Sequence, residues 1–502
     1  MKLITRITAS LFIALLFIIP ATAQTETNNI DALVSQQDIE LNIYFLAADE
    51  FLGRDTGTQE LDIASRYIAT WFQVHGVKKA GGYDSYFQDV PLHYLRMPQN
   101  ILFTVGDAEY KMSDHLIAIN GTRRTLDAPL KVLDYGTQSE IDEHDIEGKI
   151  VVTKAGLPGQ TSPQQHFFSA QDKLERVQAA GGAGLIELYS NRQIPWMFLV
   201  NFLSDDQLTL AGEDDSDAEP IPHLWMNAAD DEVARHLNTQ SDELVSLKIA
   251  GEKPEQINSR NVVGIIEGTD PVLKNEYLML GAHYDHIGVV DGHPEPITSE
   301  YIYNGSRDNA VGITGILAAA RYFSKHPPKR SVIFVAWTAE EKGLLGSNHY
   351  SQNPMVPLEQ TIYKLNIDGG GYNDTTKVTV IGLGRTEADD EMIAAAKHYS
   401  LEAIADPVPE QNLFDRSDNV HFARHGIPAP TYSMGLTAFD DEINKYYHQT
   451  SDEPHTLNYN YITSYIRSFV LAAEKIANRD QAPFWLPGDV YEEAGRELYG
   501  IE

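Results

Sequence analysis

Side chains of the kind that bind metals or move protons are spread through the second half of the chain: His283, Asp285, Asp308, Glu340, Glu341, Asp368 and His448. Imidazole nitrogen together with carboxylate oxygen suits zinc, whereas an all-oxygen set would suit magnesium or calcium. Two histidines and three carboxylates exceed the donors of one tetrahedral zinc and match two ions that share a carboxylate. Two metals about 3.5–4 Å apart can polarise a carbonyl and supply hydroxide at neutral pH. The doublet Glu340-Glu341 adds a carboxylate beside a ligand, where a general base would be useful. In His283-x-Asp285 the aspartate can orient the other ring nitrogen of a metal-bound imidazole. An acidic pair alone carries little weight, since acids favour helix N-termini for unrelated reasons. The order of the whole set carries much more.

That order follows the elements that must position it. From Asn261 onward apolar runs alternate with amphipathic ones. NVVGIIEG, EYLMLGAHYD, SVIFVAWTAEE and IYKLNID read as strands, and DNAVGITGILAAARYF, EADDEMIAAAKHYS and YITSYIRSFVLAAEKIA as helices. A short helix through Leu345 is expected after Glu341. This rhythm, with near-continuous Val/Ile/Leu strands, predicts an α/β fold: a mostly parallel sheet covered by helices on both faces. Ligands in such sheets bind beyond the carboxyl ends of the strands. His283, Glu340-Glu341 and Asp368 stand at those ends, Asp308 leads into a helix, and His448 follows Tyr446-Tyr447. Upstream, 35–51 and 62–76 have helical spacing, Ser35-x-x-Asp38 is a capping signal, and the Gly-rich turn Gly53–Thr58 lies between them. The tract 119–252 differs, with short β-rich runs and one helical stretch, KLERVQAAGG.

A chain of 502 residues suits two or three domains. A formal net charge of −34 argues against a nucleic acid partner, because phosphate backbones would repel it. The absence of cysteine removes disulfide scaffolds, thiolate metal sites and cysteine nucleophiles. Residues 1–23 combine Lys2 and Arg6, an apolar run from Leu11 to Ile19, and Ala21-Thr22-Ala23, the pattern of a secretory signal peptide cleaved after Ala23. The apolar run is shorter than the roughly 20 residues of a membrane span, so no membrane anchor is expected after cleavage and the product is exported, to the periplasm or beyond. The acidic run Glu213–Asp217 reads as a solvated loop, since it lacks the glycine and terminal glutamate of a calcium loop.

The segments GAHYDHIG, SRDNAVGITG, WTAEEKGLLGS, LNIDGGG and YYHQTSDE, in that order, resemble metallopeptidase family 28, the secreted co-catalytic di-zinc aminopeptidases. LAADEFLGRDTGTQE, and FDRSDNVHFARHGIPA later on, look like further family segments, so the similarity covers most of 35–120 and 255–480. The resemblance implies a phosphorylase/hydrolase-like catalytic domain from 24–118 and 253–480, a protease-associated domain inserted at 119–252, and a C-terminal extension, 481–502. It implies that His283 and Asp368 hold one zinc, Glu341 and His448 a second, and that Asp308 bridges them. Glu340 would be the general base, moving a proton from the attacking water to the leaving amine. Tyr447 would be a candidate hydrogen-bond donor to the tetrahedral oxyanion. The implied substrates are peptides, cut at the N-terminal residue, and the oligomeric state stays open.

Departures from the family pattern touch the pocket. Arg307 replaces the small or acidic residue usual beside the bridging aspartate, Val311 a usual serine, and Asn419 stands where many relatives have histidine. Alternatives are a glutaminyl cyclase working on one zinc, a carboxypeptidase with Arg307 or Arg416 taking the terminal carboxylate, and an inactive binding or receptor module. His286, His293, His421 and His425 have no strand-end position and are expected not to bind metal. Gly181–Gly184 precedes a strand, so it reads as a tight turn and not a phosphate loop.

Overall fold

The strand Tyr277–His283 has parallel neighbours on both sides, Ser331–Trp337 and Thr361–Ile367, and this trio forms the centre of a nine-stranded sheet in a computed structural model of the chain. The structure describes residues 29–501 apart from 121–122, 161–162, 204–205, 212–220, 230 and 252–254. The leader-like residues 1–23 and the acidic run Glu213–Asp217 lie outside the described residues. Ser331–Trp337 and Thr361–Ile367 are buried along their whole length, as expected of strands covered on both faces. Parallel pairing continues to Thr431–Met434, which pairs antiparallel with Lys377–Ile381, and that strand pairs parallel with Glu402–Ala405. The sheet turns antiparallel at its other side, where Glu255–Ile266 pairs with Ser331–Trp337 and then with Phe87–Leu95.

Helices Gln36–Leu46, Gln59–Val74, Val311–Lys325 and Tyr459–Ala477 share one large apolar core with the sheet. The Ser35 cap forms as the sequence predicts, its hydroxyl accepting from the Asp38 amide. After Glu341 the helix starts later than expected, at Leu345, leaving Glu340–Leu344 as a turn. Residues 481–501 of the tail, which the sequence reading takes as an extension over 481–502, pack onto the other face. Trp485 is 2% exposed and donates its indole N–H to the Gly426 carbonyl at 2.8 Å.

A second, eight-stranded sheet is built from strands between Asn100 and Ala250. Asn100–Val105, Ala108–Lys111 and Leu116–Ala118, which the sequence reading leaves outside the insert, pair within it. Their short length hides this membership from a composition-based boundary. One strand crosses back: Gln207–Leu210 pairs antiparallel with Phe87–Leu95 at the edge of the first sheet. There Leu208 and Leu210 pack with Ala339 and Leu345, which flank the Glu340–Leu344 turn.

The second sheet has its own buried ionic cluster. Lys173 and Glu187 are fully buried and hydrogen-bonded, and Glu187 also accepts from His223 at 2.8 Å and Trp225 at 3.1 Å. Burial pushes both groups toward their neutral forms. At Lys173 burial prevails and lowers the ammonium, whereas at Glu187 the His223 hydrogen bond and the Lys173 charge outweigh it and hold the carboxyl below its usual range. A carboxyl depressed on folding stabilises fully above its unfolded value, about 4.3, and loses that contribution as pH falls through the folded value. Lys173→Met strands Glu187 without its cation and should cost about 3–5 kcal/mol. Urea unfolding followed by Trp225 fluorescence checks this, and a loss under 1 kcal/mol would show the pair to be dispensable.

Candidate active site

Register brings the central strand ends level. Gly281 pairs with Asn366, so His283 and Asp368 emerge side by side, and His283 pairs with Trp337 just before the Glu340-Glu341 turn. Asp308 lies in the kinked segment Ser306–Ala310 ahead of helix Val311–Lys325. Gly305, at φ 58°, makes that kink possible: a Cβ would lie 2.2 Å from the Asp308 carbonyl oxygen and 2.6 Å from the His286 ring. Ala339, at φ 55°, and His448, at φ 54°, are left-handed without being glycine. Such conformations persist only where surrounding structure enforces them, and they cluster at functional sites.

The converging side chains form a symmetric pattern about Asp308. Its Oδ1 lies 3.1 Å from His283 Nε2, and its Oδ2 lies 3.2 Å from His448 Nε2. Each imidazole nitrogen meets one further carboxylate, Asp368 at 3.3 Å from His283 and Glu341 at 3.2 Å from His448. Glu340 forms a group of two carboxylates and one imidazole with Asp368 and His283, one ligand atom of each lying within 4.8 Å of the others.

Electrostatics separates two residues that sequence alone leaves identical. Burial would raise the Glu341 carboxyl, but hydrogen bonds with His286 and His448 overcome this and bring it to about 2. At Glu340 burial, helped by the charges of Asp368, Glu341 and Asp418, outweighs the opposing charge of His283 and pushes the carboxyl well above the ordinary range. Asp308 goes the way of Glu341: burial raises it, and the two imidazoles hold it well below. Burial lowers His448, but Asp308 and Glu341 outweigh it and raise the imidazole to about 10.

Asp285 acts differently from the sequence reading. Its carboxylate is 4.0 Å from His283 Nδ1, which instead faces the Asp285 backbone carbonyl at 3.2 Å. The carboxylate accepts from the amides of Glu340 at 3.1 Å and Glu341 at 3.2 Å, and from the Thr56 hydroxyl at 3.3 Å. It therefore fixes the glutamate turn. Thr56 belongs to the Gly-rich turn, whose Arg54 donates to the carbonyls of Tyr284, Leu46, Asn304 and Gly305.

Two side chains near the site escape the sequence reading. His286 Nδ1 is 2.6 Å from Glu341 Oε1, and the Ser417 hydroxyl donates to Asp368. His286 stands a step past the strand end, and Ser417 comes from a distant loop, so neither position is marked by strand logic. The pocket candidates divide. Arg307 and Asn419 are buried away from the cavity, Asn419 donating to the Phe414 carbonyl at 3.0 Å. Neither lines the cavity. Arg416 does line it.

That cavity, about 350 Å³, is lined by His283, Asp308, Glu340, Glu341, Asp368 and His448 and by the apolar residues Ile381, Leu413, Leu436, Phe439 and Ile443. Tyr447 also lines it, its hydroxyl 3.5 Å from Arg416 Nη2. Burial raises the Tyr447 phenol, so it remains a donor at neutral pH. Gly370 makes room for this ring, because a Cβ there would lie 2.1 Å from Tyr447 Cδ2.

Comparison with known proteins fits this geometry. Residues 261–472 match the model of peptidase family M28. Aminopeptidase YwaD of Bacillus subtilis is 23% identical over 369 residues, 72% of this chain and 70% of that protein. The protein named probable leucine aminopeptidase 2 in Aspergillus oryzae is 27% identical over 384 residues, 73% of this chain and 67% of its own length. Among solved structures, the aminopeptidase from Aneurinibacillus sp. strain AM-1 superimposes with a TM-score of 0.55 at 19% identity, covering 92% of this chain and 98% of that one, and so shares the fold. All the converging residues described above from His283 to His448 fall inside the matched segment, so the part of the chain that is similar to peptidase family M28 is the part that carries the site.

Proposed function

We propose that the protein is an exported aminopeptidase that removes N-terminal residues from peptides with the help of two zinc ions. The observation that carries this reading is the Asp308 carboxylate, with one oxygen toward each of two imidazoles. His283, Asp308 and Asp368 would hold one ion, and Asp308, Glu341 and His448 the other. The donor chemistry fits, since mixed imidazole and carboxylate sets suit zinc. When bound, two such ions polarise a scissile carbonyl and lower the pKa of the attacking water.

The chain's own groups supply the rest. Glu340, whose carboxyl is raised by its surroundings, is matched to take a proton from the attacking water and return it to the leaving amine. Tyr447 offers its hydroxyl to the carbonyl oxygen as it gains charge. The acidic lining favours a protonated N-terminal amine, and the apolar lining of Ile381, Leu413, Leu436, Phe439 and Ile443 favours an apolar first side chain. The name of the Aspergillus oryzae relative, probable leucine aminopeptidase 2, agrees with that preference. Export rests on the leader-like residues 1–23; among the described residues no helix is long and apolar enough to cross a membrane. The second sheet is read as the protease-associated insert, and the strand Gln207–Leu210, which leaves it to pair at the edge of the first sheet beside Ala339 and Leu345, would let the insert shape access to the cleft.

A second reading has Arg416 in its favour. A guanidinium on the cavity wall would take a terminal carboxylate, as a carboxypeptidase requires. A panel of aminoacyl-nitroanilides, N-terminal glutaminyl peptides and C-terminally free peptides distinguishes these activities. Leucyl and phenylalanyl amides should be cleaved best, elemental analysis should give two zinc ions per chain, and chelation should abolish turnover. One ion or none with full activity in chelator would refute the di-zinc reading. Release of C-terminal residues alone would favour the second.

A further inference from the structure

Arg307 is the departure beside the bridging aspartate, and the structure gives it a task other than pocket lining. Its side chain is 2% exposed. One guanidinium nitrogen, Nη1, donates to Asp452 Oδ1 at 2.8 Å and to the Thr456 hydroxyl at 2.7 Å, while Nη2 donates to the Thr456 carbonyl at 3.1 Å. The other Asp452 oxygen, Oδ2, accepts from the backbone amides of Arg307 at 2.8 Å and Asp308 at 3.4 Å. The guanidinium also stacks 3.7 Å over the Tyr446 ring and lies 5.3 Å from that of Tyr372.

These contacts join three loops. Asp308 follows Arg307 directly, the loop Tyr446–Thr456 carries Tyr447 and His448, and Tyr372 lies in the segment that follows Asp368 at the end of strand Thr361–Ile367. No residue of the clamp lines the cavity. We infer that Arg307 and Asp452 form a positioning clamp that holds Asp308 and His448 at a fixed separation, setting the affinity for the ion at the Asp308–Glu341–His448 end of the site. The inference rests on the di-zinc reading above. A small or acidic residue at 307 could not make these bonds, because it has neither the reach nor the planar fork of donors. Asp452 without Arg307 would keep its hold on the two amides and lose its link to Thr456.

The test uses the full-length zinc-loaded protein and Arg307→Met, Arg307→Lys and Asp452→Asn. Zinc transfer to a chromophoric chelator reads the affinity of each ion, and thermal unfolding reads the fold separately. In Arg307→Met and Asp452→Asn one ion should weaken by about 10–100-fold, the effect typical of groups that orient metal ligands, while the other keeps the wild-type value. Arg307→Lys should recover part of the loss, since an ammonium can still meet Asp452 without spanning to both Thr456 oxygens. Added zinc should restore kcat with little change in KM.

A folded Arg307→Met that releases both ions as wild type does would overturn the clamp. Equal weakening of both ions alongside a lowered Tm would also overturn it, showing a purely structural role. If Arg307→Met does not fold, Thr456→Val removes the hydroxyl at the far end of the clamp, with its bonds to Arg307 and to the Glu453 carbonyl; the same ion should weaken to a smaller degree, and unchanged affinity would reject the inference. A wild-type protein holding fewer than two ions would refute the di-zinc reading itself, and the clamp with it.

Discussion

Glu340→Gln should lower kcat by about 10²–10⁴-fold, the range for losing general acid–base catalysis, while zinc content stays at the wild-type value. Glutamine keeps the size and hydrogen-bonding capacity of the side chain but cannot accept a proton. Glu341→Gln should instead cost one zinc, because a neutral amide is a poor ligand. The contrast rests on surroundings and not on residue type. Glu341 is held between His286 and His448, which favour its ionised form, whereas Glu340 faces Asp368 and Asp418 in a desolvated corner. Two carboxyls driven apart in this way are the usual mark of divided roles. Atomic emission on each purified variant, together with steady-state kinetics, checks both halves. If Glu340→Gln loses zinc and Glu341→Gln retains it, the roles are reversed; if Glu340→Gln turns over at the wild-type rate, the base lies elsewhere.

Strand ends were readable because burial on both faces leaves few polar positions, so a histidine or acid at the end of an apolar run stands out. His283 and Asp368 are the clearest examples, each at the tip of a buried strand. Asp308 and His448 stand out by residue type but not by strand position, since one sits in a kinked segment and the other in a left-handed turn that hydrophobic periodicity cannot register. The supporting contacts were mostly illegible. Asp285 was expected to face the ring of His283, but its position in sequence could not reveal that two backbone amides from residues 340–341 would claim its carboxylate. His286 was set aside because it lies past the strand end, yet the chain bends there to bring it against Glu341. Arg307 looked like a pocket residue for a related reason: adjacency to Asp308 suggested proximity to substrate, whereas Asp452 and Thr456 draw its side chain inward. The second sheet begins earlier than composition suggested because its first strands are short and alternate in burial. Long-range pairing fixes such details, and a single sequence does not encode pairing in any local pattern.

Asp308→Ala should remove both zinc ions, where His448→Ala should remove only one. The difference follows from the arrangement of oxygens. One Asp308 oxygen faces His283 and the other faces His448, so a single side chain contributes to both donor sets. Without it, His283 retains Asp368 and His448 retains Glu341, leaving each set with too few protein ligands for zinc. Hydrolysis by Asp308→Ala should therefore fall to the level of the chelated wild type, and millimolar zinc should not restore it. His448→Ala leaves the His283–Asp308–Asp368 set intact, so one ion should remain and added zinc should recover some activity. The fold should survive both changes, because the main packing core lies beneath these side chains and includes neither of them. Far-UV circular dichroism tests that point directly. Zinc stoichiometry decides the rest: if Asp308→Ala still binds one ion tightly, Asp308 serves a single metal and the bridge does not exist.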